Sequence, residues 1–227
     1  VRDLSSVLII AGVLLVIDAG VTLLWQEPLT AVIALIKHGE ISRRYLDQRL
    51  SRVELRALAS LPSSPQRIAF LAREMQREVT PGAAIGELVL PRLNGRWVVV
   101  QGTSEQDLER GPGHYPDTAF PGLGQTVGIA GHRTTYLAPF RNINKLAPGD
   151  RIELDMPYAH FTYVVQYTRI VPPTAVWVVD NVGYERLVLS ACNPLYSASQ
   201  RIVVFARLRS EVPTAEARLR TGGSSAL

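Results

Sequence analysis

Residues 186–208 read RLVLSACNPLYSASQRIVVFARL, and the fold turns on them. Two apolar runs, LVLSAC (187–192) and RIVVFARL (201–208), flank an Asn-Pro step and a short polar stretch. Each run has strand length and is rich in Val, Ile, Leu and Phe. Pro194 lacks the N–H that a ladder needs, so the Asn193-Pro194 step stops the first strand after Cys192. If the two strands are antiparallel neighbours, the link between them brings Arg201 back beside Cys192.

The same texture extends back to Thr80-Pro81-Gly82. Short runs rich in Val, Ile, Tyr and Trp predict strands near 87–92, 96–101, 126–131, 151–155, 161–170, 175–179, 186–191 and 202–208. Turn chemistry separates them, as in Pro148-Gly149-Asp150 before RIELDM. Regular short strands of this kind predict a mainly β fold, a barrel or a sandwich. The stretch GPGHYPDTAFPGLGQ (111–125) exceeds any hairpin turn, and loops of that length are more often functional.

The N-terminal part differs. Val7–Trp25 reads VLIIAGVLLVIDAGVTLLW, with Asp18 its one charge. As a helix it spans about 28 Å, close to the thickness of a bilayer core. Trp25 falls where an interfacial aromatic belongs. We therefore expect a transmembrane anchor over 1–27 rather than a buried helix or a cleaved signal. Arg2 precedes the span while Lys37, Arg43 and Arg44 follow it, so charge counting alone would place the N-terminus outside. Apolar residues at mixed three and four spacings then predict a helical stalk over 28–80, broken at LPSSP (61–65). Pro65 sits at the first turn of its second helix, which runs to about Glu78. From Ser210 the chain is polar and Gly/Ser-rich, and 210–227 reads as a flexible tail after a domain at 81–209.

Composition narrows the function. Of 227 residues, 47% are hydrophobic and 19% charged, which excludes a disordered chain. A single cysteine excludes an internal disulfide and any multi-cysteine metal site. The four histidines (38, 114, 132 and 160) include no i, i+4 pair, so neither a metal nor a cofactor is expected. The net charge of +4 lies wholly in 37–78, where nine basic residues face five acidic ones. No basic cluster is interleaved with aromatics, and a nucleic-acid partner is not expected.

Few residues remain for chemistry. Cys192 closes an apolar strand, His132 follows the apolar strand TVGIAG (126–131), and Arg201 opens the strand after the cysteine. Of the other histidines, only His114 shares a loop-rich setting suited to a cleft. Singly, each residue reads as structural: a buried thiol, a satisfied histidine, a surface arginine. Their order says more. With GPGHYP (111–116), GIAGHRTTYLAPF (128–140), LVLSACNP (187–194) and SQRIVVFARL (199–208), it resembles the sortase family of cysteine transpeptidases over roughly 85–209. The GPGHYP and AGHRTTY segments are most similar to the class E group of actinobacterial housekeeping sortases.

The resemblance implies a closed eight-stranded sortase-type β-barrel behind the anchor and stalk. It implies Cys192 as nucleophile, His132 as general acid and base, and Arg201 at the oxyanion or substrate backbone. It places Tyr115, Thr134, Ala191 and Asn193 at the substrate. The implied substrate is a surface protein with an LAXTG- or LPXTG-like sorting signal, cut between Thr and Gly and passed to an amine of a peptidoglycan precursor or pilin. The domain would then sit outside the cytoplasm on a single-pass anchor in membrane lipid, which overrides the charge count. One departure is visible. The family usually carries threonine before the cysteine in a TLxTC pattern, where this chain has Ala191, and Val188 replaces the earlier threonine. Papain-like enzymes place cysteine before histidine, and L,D-transpeptidases place the two close together; neither fits. A membrane-anchored β-barrel that binds or assembles without catalysis remains the alternative.

Overall fold

The computed structural model describes residues 2–24, 61 and 63–214. The end of the anchor expected over 1–27, most of the stalk expected over 28–80 (as far as 60) and the end of the chain from 215 lie outside the described residues. Helix α1 spans Arg2–Leu24 and exposes its apolar side chains, Leu4 and Val7 through Ile17 among them. Its described side chains run from 4 to 20, and among the described residues no helix is long and apolar enough to cross a membrane.

Helix α2 (Ser64–Glu78) carries Pro65 in its first turn, as its sequence predicts. Ile68, Leu71 and Ala72 recur at helical spacing, and that stripe is buried in the main core.

Eight strands follow: β1 (Ala84–Leu90), β2 (Gly95–Gln101), β3 (Gly113–His114), β4 (Thr126–Ala130), β5 (Arg151–Asp155), β6 (Ala159–Val171), β7 (Arg186–Asn193) and β8 (Gln200–Pro213). They close a barrel in the order β1-β2-β3-β4-β7-β8-β6-β5. The expected closed eight-stranded architecture is thus found, by a slightly different set of strands. The apolar run at 175–179 is not a strand but a 3-10 turn, Val176–Val179. Pro172 and Pro173 precede it, Ala175 N–H donates back to Pro172 O, and Val178 is buried with Val179 packed beside it. The eighth strand is instead β3, hidden inside the Gly/Pro loop, where two residues bridge β2 and β4.

Two registers fix the rest. β4 and β7 run parallel, with Ile129 opposite Leu189 and Ala130 opposite Ser190. β7 and β8 run antiparallel, with Cys192 opposite Arg201. Side chains alternate across the sheet. Leu187, Leu189 and Ala191 on β7, with Ile202, Val204 and Ala206 on β8, enter the main core. Val188, Val203 and Phe205 join Val171, Ala175 and Val178 in a smaller outer cluster. The segment 172–185 lies over that outer face. A register shift between Val165 and Tyr167 turns β6 outward there, and Tyr167 stacks on Phe205 with ring centroids 4.7 Å apart. β8 also outruns its expected end at 208: residues 210–213, read as the start of the tail, pair with β6 as far as Ala159↔Pro213.

Candidate active site

Because β4 and β7 are parallel neighbours in register, their C-terminal ends emerge side by side. Gly131 N–H adds one more bond, donated to Ser190 O at 3.0 Å. His132, two residues past the end of β4, stands level with Cys192 near the end of β7. Arg201, opposite the cysteine, shares its outer face, since 188, 190 and 192 on β7 alternate with core positions as 201, 203 and 205 do on β8. Residues 69 positions apart in sequence are thereby gathered at one end of the barrel. The Cys192 thiol is half-buried and in no disulfide.

The His132 ring is tilted against Tyr136, centroids 5.3 Å apart, and the Tyr136 hydroxyl donates to Glu109 Oε1 at 3.1 Å. His132 Nε2 is buried without a hydrogen-bond partner. Burial holds the imidazole below its ordinary range, against an upward pull from Glu105 and Glu109. The following turn is tight: Tyr136, Leu137 and Ala138 all have positive φ, and Phe140 N–H donates back to His132 O at 2.9 Å. Left-handed residues of this kind cost about 1 kcal/mol each and cluster at functional sites.

Arg201 Nη1 donates to the carbonyls of Ala198 (2.9 Å) and Gln200 (3.0 Å), which tethers it to the 194–200 loop. It also lines an outer-face cavity of about 560 Å³, shared with Tyr115, Ser190, Val203 and the 171–181 segment. Tyr115 joins this lining just past the end of β3. Its hydroxyl pairs with Ser190 Oγ at 2.8 Å, and its ring lies over Gly128, where a Cβ would stand 2.8 Å from Tyr Cδ2. Glycine at 128 is therefore required by that close approach.

The remaining substrate candidates divide. Asn193 stands at the strand end, its amide linked to Gln200 Oε1 and to Arg133. Thr134 is half-buried in the turn after His132. Ala191 is 3% exposed with its side chain in the main core, so that side chain faces away from the outer groove. His114 is likewise no cleft residue. It is 1% exposed, packs edge-on to Phe120, and bonds Gln101, Thr118 and the Ala119 carbonyl. Burial lowers its pKa to about 4.

Sequence reasoning passed over Ser190 and Arg133. The period-two alternation with Cys192 was the signal for the first. For the second, adjacency to His132 was the only hint.

The sortase-domain family model matches residues 88–209, over half of the chain. The chain belongs to the sortase family. Sortase D of Bacillus subtilis is 33% identical over 131 residues, 56% of this chain and 64% of that protein. Sortase SrtE1 of Streptomyces coelicolor is 31% identical over 154 residues, 61% of this chain and 44% of that protein. The sortase domain thus spans less than two thirds of these curated relatives. Among solved structures, Streptomyces coelicolor sortase E1 with a tripeptide in its active site matches with TM-score 0.58 and 29% identity, over 63% of this chain and 98% of that one. Sortase E of Streptomyces avermitilis matches with TM-score 0.55 and 34% identity, over 62% and 97%. The resemblance to class E read from GPGHYP and AGHRTTY therefore has counterparts in whole-domain comparison.

Proposed function

We propose that this sortase-family chain is a membrane-anchored cysteine transpeptidase for an LAXTG- or LPXTG-like sorting signal. The observation that carries the reading is the shared end of β4 and β7, with Cys192 opposite Arg201 on one face. The Cys192 thiol passes its proton to His132 as its sulfur attacks the threonine carbonyl, and the oxyanion is met by Arg201 and backbone N–H groups. The C–N bond to glycine breaks as His132 gives its proton to the departing amine. An amine of a peptidoglycan precursor or pilin then attacks the thioester. His132 takes the proton of that amine, the new amide forms, and the thiol returns. No cofactor is needed, because the thioester keeps the acyl group activated.

Tyr115, Asn193 and Thr134 act as substrate contacts, and Ala191 contributes through its backbone alone. The apolar exposed surface of α1 supports an anchor in membrane lipid, and the surface-anchoring reaction proposed here places the N-terminus inside and the barrel outside the cell. The test is the full chain in detergent with LAXTG and LPXTG peptides, with and without an added amine, followed by mass spectrometry. Cleavage between Thr and Gly with transfer to the amine is the expected result. No product from any peptide, with Cys192 also inert to alkylation in the folded protein, would favour a non-catalytic binding module.

A further inference from the structure

The β4–β7 ladder ends too early to hold the site. Its last backbone bond is Gly131 N–H to Ser190 O, two residues short of Cys192. Beyond it a side chain takes over. Arg133, next to His132 and only 5% exposed, sends Nη1 to Cys192 O (3.3 Å) and Asn193 Oδ1 (2.9 Å). Its Nη2 reaches Asn144 Oδ1 (3.0 Å) and Arg141 O (3.4 Å) on and beside the 3-10 turn Ile143–Lys145. One planar fork therefore ties three segments together. A lysine could not do this, since its ammonium lacks the second arm.

The charge is as notable as the geometry. Buried arginines are normally paired with carboxylates. Every acceptor of Arg133 is neutral, and among the described residues no carboxylate forms an ion pair with it. Its Nε is buried without a partner. Burial and the like charge of Arg141 press its pKa down, while Cys192 pulls it up. Both arms of the fork are engaged twice over, so the guanidinium is held in one place by neutral groups from two other segments.

We infer that Arg133 is the positioning residue of this site, clamping the thiol-bearing end of β7 to the His132 segment and to the Ile143–Lys145 turn. The inference rests on the transpeptidase reading for its kinetic readout and not for its chemical one.

The test uses the full chain in detergent as wild type, Arg133→Gln, Arg133→Lys and Asn144→Ala. The first measurement is the rate of Cys192 alkylation by iodoacetamide at one fixed pH, which needs no substrate. Arg133→Gln frees the end of β7 and should raise that rate at least about threefold, while Arg133→Lys, which keeps one arm of the contact, should raise it less. With a peptide that is turned over, Arg133→Gln should lower kcat by about 10- to 100-fold with KM within about twofold, and Arg133→Lys should recover part of the loss. An unchanged alkylation rate in Arg133→Gln overturns the inference, whatever happens to kcat. Equal losses in the Gln and Lys variants, in KM as in kcat, would mark a merely structural contact and overturn it too. If Arg133→Gln does not fold, Asn144→Ala decides: several-fold lower kcat at constant KM is expected, and unchanged kcat overturns the clamp. If no peptide is turned over even by wild type, the transpeptidase reading fails while the alkylation rate still decides the role of Arg133.

Discussion

The two ends of β7 are built on opposite principles. At its start, Glu185 is buried yet saturated: its carboxylate accepts from Gly122 N–H, from Gly124 N–H at 2.9 Å and from the Tyr163 hydroxyl at 2.7 Å. Arg186, beside it, donates to Thr126 Oγ1 and to the carbonyls of Val178 and Asp180, and lies 5.1 Å from the Phe205 ring centre. At the other end, His132 Nε2, Arg133 Nε and Arg141 Nη1 are all buried without a hydrogen-bond partner. Buried polar groups are normally satisfied. One end thus spends its hydrogen bonds on holding the barrel and the 121–124 and 178–180 segments in place. The other leaves three buried polar atoms without a partner.

Substitutions should separate the two ends. The largest effect belongs to the open end: Cys192→Ala should abolish peptide cleavage and transfer, a loss of more than about a thousandfold, with thermal unfolding nearly unchanged. The closed end should answer in the opposite sense. Glu185→Ala strips partners from two glycine N–H groups and a buried tyrosine, and should cost about 3 kcal/mol in denaturant melts while the folded fraction keeps its turnover. If Glu185→Ala instead lowers kcat per folded molecule, the division between the ends is wrong.

A pH series sharpens the comparison. Burial lowers His114 from 6.5 to about 4, so between those values the unfolded chain binds a proton that the folded chain refuses. Stability from this group is therefore complete above the ordinary histidine range and is lost as pH falls toward 4, by up to about 3 kcal/mol. Glu185 works in the opposite direction: burial raises its pKa, so its contribution shrinks as pH rises through that value. Stability measured from about pH 7.5 to 4.5 should fall in wild type and flatten in His114→Gln, with the Glu185 slope common to both. The smallest effect is expected from Tyr115→Phe. It removes one hydroxyl bond to Ser190, about 1 kcal/mol, and should appear as a few-fold rise in KM at unchanged kcat.

Much of the barrel was legible because a strand's pattern is local. LVLSAC and RIVVFARL declare themselves by β-branched content and by the Asn-Pro step between them, and their pairing follows from proximity. The run at 175–179 misled because VWVV carries strand composition without a strand partner, and Pro172-Pro173 commits it to a turn. β3 escaped because two residues carry no periodicity; they pair only because the neighbouring strands are already in place. Ala191 was misplaced for a simpler reason. Adjacency to the cysteine suggested the substrate, but alternation sends consecutive side chains to opposite faces.

The amino-acid sequence by itself determined the mainly β class, the strand ends that carry His132, Cys192 and Arg201, the absence of a disulfide, and the likeness to sortases. These rest on short-range pattern and residue identity. Only the tertiary structure decided that β4 and β7 run parallel in register, that His114 is buried, and that Arg133 bridges three segments. The first and third join residues 59 or 60 positions apart, and His114 is enclosed only where β3 lies between β2 and β4, so their geometry exists only once the barrel closes.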